Sequence, residues 1–168
     1  CSDLVFQSPL IRVFDVTCHA PQSGCSSEEW CSVTQVVVPR RGVFMLHHRG
    51  TPIVADPNTA LVFGMGDTYQ VSHPVDGGDQ CTVLVFSPEL VEDALGSAQT
   101  RHGTIHAATQ LSIHVLTHTM ATGVTDRLEA EESAVLVLNA LAQDFRSPTP
   151  LSCQQVSEFQ QRRVEEVR

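Results

Sequence analysis

From residue 10 to about residue 86 the apolar positions come in short runs between turn-forming clusters, with no sustained helical period. The runs at 11–16, 33–38, 43–46, 60–63, 69–72 and 82–86 read as β-strands. The segments APQSG (20–24), PRRG (39–42), DPN (56–58), GMGD (64–67) and HPVDGGD (73–79) read as the turns between them. Strands this short and evenly spaced favour a closed barrel or jelly roll over an α/β sheet.

After residue 86 the period lengthens. Ser87 and Pro88 carry an N-cap and first-turn signature, and Leu90, Val91, Ala94 and Leu95 form a short apolar stripe that Gly96 ends. A second helix is expected over 109–121, with Leu111, Val115 and Leu116 as its core side. A third starts at Asp126, which has capping-box spacing to Glu129, and sets Ala134, Val135, Leu138, Leu141, Ala142 and Phe145 on one face. Pro148 and Pro150 then interrupt the chain. Val156, Phe159, Val164 and Val167 imply a last helix that reaches Arg168 without a stop signal, as if more protein followed. The expected fold is mainly β with α: a jelly-roll barrel over 1–86, a helical segment packed on it over 87–146, and over 147–168 a linker and the start of a further helix.

Charge narrows the partners. The 168 residues carry a formal charge of -9, with all 10 basic residues arginine, so this surface repels phosphate backbones and is not expected to bind DNA by itself. No apolar run approaches the roughly 18 to 20 residues of a membrane span, and no basic region leads into an apolar stretch at the start. A cytoplasmic protein with no membrane partner is the expectation. With 42% hydrophobic residues the chain can build a core without disulfide staples, so its 6 cysteines invite a different reading.

Cupin barrels hold iron or manganese with three imidazoles and a carboxylate, drawn from two glycine-bounded motifs, and the strand pattern allows a test of both. If Gly42 closes the first motif, its glutamate position falls on Gln35 and its histidine pair on Glu29 and Cys31; if Gly66 belongs to the second, the histidine falls on Tyr69 and the asparagine on His73. The ligands are mostly wrong, which disfavours a cupin dioxygenase or isomerase. His47 and His48 do not supply them, since neighbours on a strand point to opposite faces. His114 and His118, four apart on a helix, could share a face, but that spacing is common by chance. The same register draws Cys31 and His73 towards one barrel mouth, with Cys18 ending the first strand and Cys81 opening the last. Cys18, Cys31, His73 and Cys81 are therefore the candidate metal set, zinc being the ion that thiolates with imidazole select. A regulatory disulfide and simple packing remain open beside it. No phosphate loop, nucleophile elbow or zinc-protease helix is present, and the chain is not expected to be an enzyme.

The segments VVVPRRGVF (36–44), ADPN (55–58), YQVSHP (69–74), GGDQCT (77–82), RHG (101–103) and LEAEE (128–132), taken in order, resemble the N-terminal region of AraC-type transcription regulators. The resemblance implies a cupin-like barrel that binds a small-molecule or metal effector, and the register makes Tyr69 and His73 the residues expected to line that site. It also implies helices that pair two subunits as a homodimer, and DNA contact only through a C-terminal domain beyond this chain.

Overall fold

The computed structural model describes residues 1–21, 24–96, 101–122 and 126–146. Ten strands and three helices follow in the order β1 (Ser2–Gln7), β2 (Ile11–Cys18), β3 (Glu29–Trp30), β4 (Gln35–Gly42), β5 (Phe44–His48), β6 (Thr51–Ala55), β7 (Thr59–Phe63), β8 (Thr68–Ser72), β9 (Asp79–Phe86), α1 (Pro88–Leu95), β10 (Arg101–Thr104), α2 (Ala107–Thr122) and α3 (Arg127–Arg146). They form a six-stranded sheet ordered β1-β2-β9-β4-β7-β10 and a four-stranded sheet ordered β3-β8-β5-β6, with antiparallel pairing throughout. The architecture is a cupin-like jelly roll with helices beside it.

The larger sheet buries both faces, and alternation assigns each residue to one of two cores. Ile11, Val13, Val36, Val38, Leu84 and Phe86 point outward into a cluster with the helices. Val16, Val37, Leu61, Phe63, Cys81 and Val83 point inward, towards Phe44 and Leu46 of the smaller sheet. This explains the runs VVV and VLVF: a strand covered on both faces loses the polar half of its pattern.

All six predicted strands are present, as β2, β4, β5, β7, β8 and β9. The four unpredicted strands, β1, β3, β6 and β10, are the four sheet edges. Edge strands need only one covered side and tolerate residues that weaken a strand signal, such as Pro52 in β6 and Gly103 in β10; central β4 accommodates Pro39 only beside a register shift between Pro39 and Arg41. Pairing of β10 with β7 also returns the chain to the barrel inside a segment expected to be helical.

Each helix begins and ends largely as its sequence signals. Gly96 closes α1 at φ 69°, its N–H donating to the Glu92 carbonyl at 2.9 Å; Ser87 occupies the N-cap without a side-chain cap bond. Asp126 Oδ1 accepts the Glu129 N–H at 3.0 Å and caps α3. On α3 the expected Ala134, Leu138, Leu141 and Ala142 are buried, Val135 and Phe145 only partly, and Ala130, Val137 and Asp144 join them. On α2 the expected core side holds for Leu116, which is buried, and fails for the other two residues. Leu111 and Val115 are 62% and 51% exposed, and the buried side is Thr109, Ile113, Leu116, Thr117 and Met120. Thr117 enters the core because its hydroxyl donates to the Ile113 carbonyl at 2.8 Å, so its polar group is satisfied within the helix. The predicted helix over 156–168 lies outside the described residues.

Asp144 fastens α3 to the start of α2. Its Oδ2 accepts the His106 N–H at 2.9 Å and its Oδ1 meets His106 Nδ1, at a helix N-terminus that favours a carboxylate. Burial pushes its pKa up, but hydrogen bonds from His106 and Thr109 outweigh it and hold the carboxyl below its ordinary value of 3.8. A depressed folded pKa stabilises above the unfolded value and is lost as pH falls through the folded one. Asp144→Asn should therefore cost about 1–3 kcal/mol at pH 7 in urea melts. The gap from wild type should narrow as pH is lowered below 3.8.

Candidate ligand sites at the two barrel mouths

One end of the barrel is closed by three backbone segments in contact. Register sets Cys18 opposite Asp79 across β2 and β9, and Gly42 opposite Asp79 across β4 and β9. Gly78 has φ 67°, and a Cβ there would lie 1.9 Å from the Cys18 carbonyl oxygen; a Cβ on Gly42 would lie 2.3 Å from the Gly78 oxygen. Only glycine satisfies both the left-handed backbone and the absence of space.

This packing brings polar side chains together inside. Asp79 and His73 are 8% and 7% exposed. His73 Nε2 donates to Asp79 Oδ2 at 2.8 Å, and the Cys81 thiol donates to Asp79 Oδ1 at 3.1 Å. Cys18, half-buried, completes the group: one ligating atom from each of Cys18, His73 and Asp79 lies within 4.8 Å of the others. Burial pushes the Cys81 thiol well above its usual pKa; the Asp79 hydrogen bond and charge add to this, and the Arg40 guanidinium opposes it. Arg40 itself pairs with Asp15.

Of the four cysteine and histidine candidates, Cys18, His73 and Cys81 thus meet around Asp79, whereas Cys31 does not join them. Cys31 is held beside the 64–67 turn, its N–H donating to the Asp67 carbonyl at 3.0 Å and its carbonyl accepting from Gly66 at 2.8 Å. Its thiol donates to the Val33 carbonyl at 2.8 Å, and burial raises its pKa. Tyr69 also lies away from His73, four residues along the strand direction, with its ring tilted 54° against Phe63 at 4.6 Å. Burial, and then Glu29, which accepts the hydroxyl's hydrogen bond, push the Tyr69 pKa up strongly. The register expected for a cupin metal therefore gathers Glu29, Cys31 and Tyr69, which offer no imidazole, so iron or manganese of the cupin type does not fit. His47 faces outward and bonds Ser72 Oγ at 2.8 Å. His114 and His118 are exposed on α2.

Asp79 was missed because HPVDGGD reads as a turn. Its signal was pairing: Asp79 and Cys81 are two apart on one strand, so both side chains point inward with Cys18 of the neighbouring strand.

The opposite mouth carries volume without this chemistry. A cleft of about 540 Å³ runs between α1 and the start of β2, walled by Leu10, Arg12, Met65, Val85, Pro88 and Val91. The Arg12 guanidinium stands 5.9 Å from the Phe14 ring centroid. The buried cluster around Asp79 and this cleft therefore lie at different ends of the barrel.

The fold defined by this barrel and helical hairpin is shared with solved transcription regulators. An apo variant of ToxT from Vibrio cholerae strain SCE256 aligns with a TM-score of 0.60 at 6% identity, over 80% of this chain and 55% of its own. The AraC-like transcriptional activator CuxR aligns with a TM-score of 0.59 at 12% identity, over 81% and 52%. Wild-type ToxT with an unsaturated fatty acid bound gives 0.58 at 8%, over 87% and 60%. The chain thus spans little more than half the length of these regulators. No protein-family model and no curated protein matches the sequence.

The closed end has a direct test. Gly78→Ala should destabilise by at least about 1–3 kcal/mol through backbone strain alone, with the carbonyl clash in addition. Gly50→Ala, at φ 78° with nothing within 4 Å of the new Cβ, should lose only the left-handed penalty of about 1–2 kcal/mol. Equal losses in urea melts would contradict the packing described.

Proposed function

We propose that this chain is the effector-sensing and dimerisation part of an AraC-type transcription regulator, with DNA read by a segment outside it. The observation that carries this is the helical hairpin. While its inner faces close the core, Leu111 and Val115 on α2 and Leu128 and Leu136 on α3 stand exposed, the last two at 66% and 70%. Leu111 and Val115 are i and i+4, so they make a continuous apolar stripe on a helix that is already packed. A second copy of the chain is the occupant that fits a regulator, and the architecture shared with CuxR and ToxT supports it.

The cleft supplies the sensor. Its walls come from both the barrel mouth and α1, and α1 is tied to the end of α3 by Arg146 Nη2 donating to the Ala94 carbonyl at 2.8 Å. A small molecule bound there contacts the barrel and, through α1, bears on the hairpin. It alters the dimer only to the extent that it binds two arrangements with different affinity. The chain acts by binding, without turnover, and the poor ligand set at the cupin positions supports that reading over a metalloenzyme. Its acidic surface and the lack, among the described residues, of a helix able to cross a membrane accord with a regulator working in the cytoplasm.

Sedimentation equilibrium tests the dimer. Wild-type chain should associate, and the double variant Leu111→Asp, Leu136→Asp should weaken association at least about a hundredfold, roughly 2.8 kcal/mol, with unchanged far-ultraviolet dichroism. A wild-type chain that stays monomeric at high micromolar concentration would overturn the proposal.

A further inference from the structure

We infer that Cys18, His73, Asp79 and Cys81 form a binding site for a thiophilic divalent cation of the zinc class, which locks the closed end of the barrel. The inference stands independently of the regulatory reading. Three of the donors already lie within 4.8 Å of one another, and Cys81 is bonded to the same carboxylate at 3.1 Å. Tetrahedral zinc sets donor separations of roughly 3.3–3.7 Å, from bonds of about 2.3 Å to sulfur and 2.0–2.1 Å to nitrogen and oxygen. Opening the 2.8 Å contact of His73 with Asp79 by about half an ångström brings that pair into this range, while Cys18 closes from within 4.8 Å and Cys81, which lies outside that group of three, swings towards it from its bond to Asp79.

The donor set selects the ion. Two sulfurs, an imidazole and one carboxylate suit zinc and its thiophilic neighbours; calcium and magnesium require oxygen shells. The position is also not that of a cupin metal. Of the residues in the cupin register only His73 takes part, and at an asparagine position.

The site is held before any ion arrives. Its ligands come from the ends of β2 and β8 and the start of β9; the Gly78 contact holds β2 against β9, and the His73–Asp79 hydrogen bond ties the end of β8 to them. Asp79, His73 and Cys81 are buried, and half-buried Cys18 leaves the route by which an ion enters. Binding replaces the two thiol protons: each sulfur exchanges an S–H bond for a metal–sulfur bond and two protons leave to solvent, while neutral His73 shifts its proton from Nε2 to Nδ1 so that the Nε2 lone pair meets the ion. The product carries two thiolates and a carboxylate around a divalent ion, leaving one net negative charge that the nearby Arg40 guanidinium offsets in part.

Titration of the metal-stripped, reduced 168-residue chain with cobalt(II) tests this. One equivalent should give thiolate-to-cobalt charge-transfer absorption and tetrahedral ligand-field bands, and one equivalent of zinc should abolish both. Cys31→Ser should keep the full signal. Cys18→Ser should lose most of the charge-transfer intensity, with its fold checked by circular dichroism. In the wild-type chain, zinc should shield Cys18 from alkylation and leave exposed Cys25 reactive, a readout that needs no variant. Absent cobalt bands, bands lost in Cys31→Ser, or Cys18 alkylated equally with and without zinc would each overturn the inference and leave the cluster as a hydrogen-bonded latch.

Discussion

The structure depends on one sheet being buried on both faces. In β2, β4, β7 and β9, alternate residues serve alternate cores: Val36 and Val38 meet the helices while Val37 fills the barrel, and Leu84 and Phe86 meet the helices while Cys81 and Val83 turn inward. A residue of either core therefore sits one peptide from a residue of the other. The helices are thus no appendage. Without them the outer face of this sheet, with Ile11, Val13, Ala60 and Val62 among its residues, would be open to water. Burial of a side chain of that size is worth roughly 1.5–3 kcal/mol, so the loss would outweigh the whole stability of a typical domain.

The two ends of the barrel follow from the same register. At the β9 start, backbone contacts at Gly42 and Gly78 leave no volume, and the inward positions are polar. At the β9 end, the chain turns from Phe86 into α1, and the gap between that helix and β2 becomes the cleft. A barrel closed at one end by polar chemistry and open at the other beside a helix is suited to hold an ion at the first and admit an organic molecule at the second. The cleft is walled in part by α1, which Arg146 of α3 bonds at the Ala94 carbonyl, so the open end is connected to the hairpin.

What the sequence revealed follows from how many sides of each element are covered. β4, β7 and β9, with two covered faces, stood out by their apolar runs; the four edge strands did not, because Pro52, Gly103 or exposed residues such as Trp30 are acceptable there. α3 was nearly right since its outer face, apart from Leu128 and Leu136, is polar or charged. α2 was misread because it is apolar on two sides: Ile113, Leu116 and Met120 face the core and Leu111 and Val115 face away, while buried Thr109 and Thr117 pass for surface residues. The candidate site was legible in Cys18, His73 and Cys81 once the strands were placed. Asp79 was hidden in a turn-like string, and Cys31 was drawn in by a motif register whose chemistry the chain does not carry.

The central claim is that barrel and helices form one cooperative unit through the shared sheet, a coupling that the proposed effector site at the barrel mouth requires. Native-state amide hydrogen exchange measures this directly, residue by residue. The account predicts that the slowest amides of β9 and β4 and those of α3 around Leu138 and Leu141 open with the same free energy and the same denaturant dependence. Helical amides exchanging through a separate, lower-energy opening while the β9 amides remain protected would contradict it.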